Sequence, residues 1–418
     1  MFKIIGRHIY QEYRDMILLG IAGAVIGIGV GAIDAAFGSI LLICTGLRTD
    51  HFFWLVPFLP VAGVLIALLY GRVGKNAGKG MKLVFQVGFG EAGGLPFRMV
   101  PLSMFGTWIT HLCGGSAGRE GVAVQIGAAV SNNVGRFTER YVQIKDSRKL
   151  FLITGMAAGF SGLFQTPIAA VFFALEVMVV GKLEYHALFP ATVASFAAML
   201  TSRALGLEKF QNYISMEQVP YNLGLLVKIS LLGLLFGIAG SIFAVALRYV
   251  RVKFLVRFSS PLKKAVIMGA IIAVLMMLLH QGRYSGTGES LINICFGRTA
   301  GTVYPYDWVL KLILTILTLS AGFMGGEVAP LFSIGATLGF VAAPIFGLPT
   351  YFCAALGYAA VFGSASNTLL ASIFVGAEIF GYDMLPYFLV VCIMSYIFNF
   401  NKSIYTSQRS VFHQHGDN

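Results

Sequence analysis

Residues 16 to 44 read MILLGIAGAVIGIGVGAIDAAFGSILLIC, with Asp34 the single charged residue among twenty-nine. As a helix rising about 1.5 Å per residue, such a run more than covers a hydrocarbon core of about 30 Å. Comparable runs follow at 52–70 and 225–247. Only 11% of the residues are charged and 57% are hydrophobic, against about 25% charged in a soluble domain. The chain is expected to be a multi-pass membrane protein.

Lys3, Arg7 and Arg14 precede the first run, which is too long for a signal-peptide core and lacks a small-residue cleavage site close behind it, so a retained helix is expected. Lys and Arg number 30 against 18 Asp and Glu, with a cluster at Arg248, Arg251, Lys253, Arg257, Lys263 and Lys264. The positive-inside rule puts that cluster in the cytoplasm. These charges sit in short loops with no polar domain attached, which argues against nucleic acid as a partner. The five cysteines are scattered through apolar runs and suggest neither a disulfide framework nor a zinc site.

The chain also resembles itself. GMAAGFSGLFQTPIAAVFFALEVM (155–178) and GYAAVFGSASNTLLASIFVGAEIF (357–380) share eight of 24 positions at an offset of 202, among them Gly155/Gly357, Phe172/Phe374 and Glu176/Glu378. Upstream, GREGVAVQIGAA (118–129) and GEVAPLFSIGAT (326–337) align on Gly118/Gly326 and on IGA at an offset of 208. The polar connection GRFTERYVQIKDSRK absorbs the difference. Matching segments in one order are the mark of a transporter built from two repeats, often inverted in the membrane. The expected division is a first repeat at 16–201, a second at 223–400 and a short polar tail at 401–418, all within one transmembrane domain.

Glycine clusters interrupt the apolar runs at GKNAGKGM (74–81), GGSAGREG (114–121) and GFMGGEVAP (322–330). Irregular backbone at membrane depth persists only where protein covers it or where it lines an aqueous cavity. These breaks are therefore candidate helix starts around a buried site. A helix start offers free N–H groups and about half a positive charge, and glycine lets an anion approach closely. Converging starts would hold an anion without a full cationic side chain, loosely enough to let it go. Glu120, in the first turn of the helix beginning near Gly118, could occupy the same N–H groups when ionised and leave them when protonated. The plainer alternative is a first-turn carboxylate ion-paired with Arg119.

These residues resemble the CLC family of anion channels and proton-coupled antiporters over nearly the whole chain. GREGVAVQIG is similar to the family's GREGP signature and its following VQIG, which puts Glu120 at the external gating glutamate. GKGMK (78–82) stands where the family has GSGIP, GEVAP (326–330) where it has GxFxP, and Tyr405 matches the central anion-coordinating tyrosine. The resemblance implies an all-α polytopic fold of tilted and broken helices in two inverted repeats, assembled as a homodimer with a pathway in each protomer. It implies an anion site at Gly80, Met81, Gly118, Arg119, Gly121, Val328, Ala329 and Tyr405, with no cofactor and no metal.

Departures from the family pattern narrow the reading. Met81 replaces the serine hydroxyl of chloride-selective members, Val122 the proline after GREG, and Glu327 stands in GGEVAP. All three resemble the fluoride-exporting CLC-F branch. Val177 occupies the position of the internal proton-transfer glutamate of the chloride type, so inward proton transfer needs another route, for which Glu327 is the candidate relay. The resemblance thus implies a fluoride/proton antiporter in a bacterial-type inner membrane, exporting fluoride as protons enter. A chloride/proton antiporter and a passive channel of the same fold are the alternatives.

Each role has a competitor. Met81 could be flexible packing, Tyr405 an interfacial anchor, and Glu327 a helix cap. Glu176 and Glu378, near helix ends, read as structural. Asp34, His111 and Lys311 lie in or beside apolar stretches with no partner evident in the sequence. GKNAGKGM lacks the phosphate-loop spacing, and the absence of HExxH, GxSxG or paired aspartates argues against an intramembrane enzyme.

Overall fold

The computed structural model describes residues 2–138, 146–214, 219, 222–258 and 260–411. Residues 139–145 of the polar connection and 412–418 of the tail lie outside the described residues, as do the side chains of Lys3 and Arg7. The described chain is mainly helical, with one short parallel strand pair, Val179–Val180 and Arg409–Ser410. Among the described residues, five helical segments are long and apolar enough to cross a membrane: Tyr13–Asp50, Phe52–Lys79, Leu223–Phe254, Pro261–Leu278 and Val328–Phe346. Shorter apolar helices include Pro167–Glu176 and Leu370–Phe380.

The first helix shows why an apolar sequence folds this way in lipid. Ile17, Ile21, Val25 and Ile28 are exposed at helical spacing, while Leu19, Ala22, Ile26 and Val30 point inward and Asp34 is fully buried. The outer stripe suits lipid tails, and the inner stripe packs on protein.

All three glycine clusters break helices. Helix Met99–Leu112 stops before the 113–119 loop and Glu120–Thr138 starts after it. Asp307–Ala321 ends on left-handed Gly322, and Val328–Phe346 begins six residues on. The chain passes through π and 3₁₀ turns at Tyr70–Lys79 before Met81–Gly88.

The two repeats meet in an inverted arrangement, and residues aligned in sequence touch one another. Gly118 and Gly326 exchange N–H···O bonds of 2.6 and 2.8 Å as an isolated antiparallel bridge. Phe172 and Phe374 stack at 4.7 Å and 7°. Glu176 accepts hydrogen bonds from the N–H groups of Leu370 (3.2 Å) and Ala371 (2.7 Å), and Glu378 accepts them from Ile168 (3.2 Å) and Ala169 (2.8 Å). Each glutamate therefore caps the helix start of the other repeat, where a carboxylate satisfies orphan donors and the dipole. Gln165 and Asn367, aligned as well, both end their helices in the left-handed conformation, at φ 55° and 56°.

Within each repeat a pair of glycines allows two backbones to cross. Helix Glu120–Thr138 crosses Ser147–Phe164 at Gly127 and Gly155, and Val328–Phe346 crosses Thr350–Ser366 at Gly335 and Gly357. A Cβ on any of the four would collide with the carbonyl of its partner. Gly127→Ala is expected to lower unfolding free energy by about 1–3 kcal/mol, the usual range for overpacking, read as a lower denaturant midpoint in detergent. An unchanged midpoint would contradict this crossing.

Candidate functional site

The starts of Glu120–Thr138 and Val328–Phe346 come together at the Gly118–Gly326 bridge. Glu120, 2% exposed, directs its carboxylate across the repeat boundary, where Oε2 accepts a hydrogen bond from the Ala329 N–H at 3.1 Å and one from the Arg119 N–H at 3.2 Å. The Arg119 Nε lies 3.7 Å from Oε1 but forms no hydrogen bond. The carboxylate is thus held mainly by backbone at two helix starts, where a negative charge is stabilised.

Gly118 does not offer its own N–H to a ligand, because the Gly326 carbonyl takes it. Through that bond the residue ties the two loops together. Gly121 is different. Among the described residues its N–H, like that of Val328, forms no hydrogen bond. Gly326 keeps it open, since a Cβ there would lie 2.9 Å from the Gly121 nitrogen.

The third helix start is at Met81. Gly80, at φ +56°, turns the chain into Met81–Gly88 with no side-chain cap, and a Cβ on Gly80 would face the Gln125 amide at 3.5 Å. Gln125 sits five residues beyond Glu120 on the same helix, about 7.5 Å along its axis. Met81 is half-buried against the main core. Tyr405, 7% exposed, packs against Phe85 of this helix at 5.6 Å and Phe173 at 6.3 Å. Glu327 lies beside the Glu120 helix, its Oε2 3.8 Å from where a Gly121 Cβ would stand, and pairs with Arg251 at 3.6 Å.

Two cavities approach this cluster and share no lining residue. One, of about 170 Å³, is lined by Glu120, Arg119, Ala329, Phe210 and Tyr358 among others. The other, of about 540 Å³, is lined by Tyr405, Tyr249, Arg248, Lys253 and Lys402 among others. Glu120 lines the smaller cavity and Tyr405 the larger.

The structure also assigns a setting to the stray polar residues. Lys311 donates to Ser116 Oγ (2.8 Å), the Tyr284 carbonyl (2.9 Å) and the Gly286 carbonyl (2.7 Å), beneath the loop that leads to Gly118. Asp34 and His111 are buried, and among the described residues their side chains have no hydrogen-bond partner. Among the described residues no cluster of His, Cys, Asp or Glu is arranged to hold a metal. The cross-repeat capping and the Lys311 cradle went unread in the sequence. Their only signal there was a charge inside an apolar run, which demands an oxygen or N–H partner without naming it.

Several known proteins are similar to this chain. A solved structure described as a CLC-type fluoride/proton antiporter superposes with a TM-score of 0.91 at 47% identity, covering 95% of this chain and 99% of that one. A slow cyanobacterial Cl⁻/H⁺ antiporter, 20% identical, superposes at 0.80 over 93% of this chain and 96% of its own, which speaks for the fold alone. The chloride/fluoride channel protein of Pseudomonas syringae pv. tomato is 36% identical over 94% of this chain and 86% of its own. The H(+)/Cl(-) exchange transporter ClcA of Salmonella arizonae is 26% identical over 80% and 73%. The family model described as voltage gated chloride channel matches residues 62–399. With the bridged helix starts, the inverted repeats and that match together, the chain belongs to the CLC, or voltage gated chloride channel, family.

Proposed function

We propose that this protein exports fluoride in exchange for entering protons across a bacterial-type inner membrane, with Glu120 and the halide occupying the same helix-start N–H groups in turn. The observation that carries the reading is the Glu120 carboxylate on the Ala329 N–H at 3.1 Å, in the wall of the smaller cavity. In support of the orientation, the larger cavity carries Arg248 and Lys253 of the basic cluster that the positive-inside rule puts in the cytoplasm. The smaller cavity is then the outer vestibule.

A proton arriving through the outer vestibule neutralises Glu120, which weakens the charge-assisted bonds holding it. The carboxyl leaves, and the freed Ala329 N–H, together with the open Val328 and Gly121 N–H groups, receives the anion. The anion enters past Tyr405 and the half-buried Met81, beside the Gly80 turn. Arg119 concentrates anions at the outer mouth without closing on them. Glu327, tied to Arg251, supplies the inner proton relay that Val177 cannot. The working unit is a homodimer with one pathway per protomer.

The preference for fluoride and the coupling to protons draw on the solved antiporter at 47% identity. A passive channel of the same fold is the second reading, favoured by the Pseudomonas relative, a chloride/fluoride channel protein. The two separate in proteoliposomes. Under an outward fluoride gradient an antiporter drives protons inward against their own gradient, and chloride supports less flux than fluoride. Fluoride flux with no uphill proton movement would establish a channel, and chloride flux exceeding fluoride a chloride transporter.

A further inference from the structure

Tyr358 lies in the Thr350–Ser366 helix and is 1% exposed, yet it lines the same 170 Å³ vestibule as Glu120 and Ala329. Its ring is fixed on both faces. Phe332, one turn beyond Ala329, stacks on it at 4.2 Å and 3°, and Phe210 lies parallel at 6.3 Å and 6°. Phe380 closes the edge at 5.2 Å and 84°. Among the described residues no protein group hydrogen-bonds to the phenol hydroxyl, and its oxygen is not wholly enclosed by protein, so it is open to the cavity that Tyr358 lines. A rigid, unpartnered O–H thus fronts the cavity into which Glu120 must withdraw.

We infer that the Tyr358 hydroxyl receives the protonated Glu120 carboxyl when it leaves the Ala329 N–H, making Tyr358 a positioning residue for the gate. This rests on the proposed role of Glu120. An ionised carboxylate gains most from the helix-start N–H groups, with their dipole. A neutral carboxyl loses that advantage and needs one acceptor and one donor, and a phenol can serve as either. The hydroxyl therefore favours the protonated, released state over the ionised, docked one. The charges facing Glu120 are Arg119 on its own turn, Glu327 beside Gly121, and Glu208, Lys209, Glu289 and Arg298 around the vestibule. None is altered when the hydroxyl alone is removed.

The test is Tyr358→Phe, which keeps the ring and its stacking, assayed as the pH profile of fluoride efflux from proteoliposomes. Without the hydroxyl more acid is needed to release Glu120. Loss of one neutral hydrogen bond corresponds to a shift of about 0.7 pH unit toward acid and about fivefold less flux at pH 7, with full recovery at low pH. A profile that coincides with wild type, or a fall equal at every pH, overturns the inference. If wild type moves fluoride without pumping protons, antiport itself fails, and the pH profile still decides on Tyr358.

Discussion

Glu120→Gln is expected to eliminate fluoride-driven proton pumping, lowering coupled proton flux at least a hundredfold, to the level of protein-free liposomes. Glutamine matches glutamate in size, and its amide oxygen can still accept the Ala329 N–H at the 3.1 Å seen for the carboxylate. It cannot ionise, so it neither carries a proton nor alternates between a strongly and a weakly held state. General loss of structure is distinguishable, because the side chain stays isosteric at a 2% exposed position and the variant should elute as wild type does in detergent. Proton pumping retained by this variant would remove Glu120 from the mechanism.

Gly326→Ala should reduce fluoride flux ten- to a hundredfold while leaving the fold in place. A Cβ at this position would stand 2.9 Å from the Gly121 nitrogen and 3.2 Å from its Cα, over the N–H that the docked carboxylate leaves free. An anion denied that donor loses one charge-assisted hydrogen bond, about 1.5–3 kcal/mol, and each 1.4 kcal/mol is tenfold. The Gly118–Gly326 hydrogen bonds are made by backbone groups and can persist in the variant. Fluoride efflux in liposomes measures the effect, and wild-type flux would mean that the Gly121 N–H does not receive the anion.

How much of this was legible in the sequence follows from where each interaction lies along the chain. Glu120 was conspicuous because ionisable groups inside apolar runs are rare and costly, and the glycine clusters marked the helix breaks around it. The repeats were legible because their identities fall where backbone touches backbone. Gly127, Gly155, Gly335 and Gly357 leave no room for a Cβ, and the Glu176 and Glu378 carboxylates cap helices about two hundred residues away. That these two glutamates serve each other's repeat was not legible, since a cap in the opposite repeat leaves no spacing to read. The bond between the Gly118 N–H and Gly326 was not legible either, since only the meeting of the two loops creates it. Tyr358 was invisible for a related reason: in a run of apolar and small residues, nothing distinguishes a tyrosine that fronts a cavity from one that fills the core.

The alternation of carboxylate and halide on one set of N–H groups is tested most directly by proton uptake on fluoride binding. Calorimetric titration of the detergent-solubilised protein with fluoride near neutral pH, repeated in buffers of different ionisation enthalpy, counts the protons taken up. Uptake approaching one proton per fluoride is expected for wild type and none for Glu120→Gln, because the anion can bind only where the carboxylate has left and been neutralised. Fluoride binding to wild type with no proton uptake at any pH would show that the two occupy separate places, and the shared cradle would be wrong.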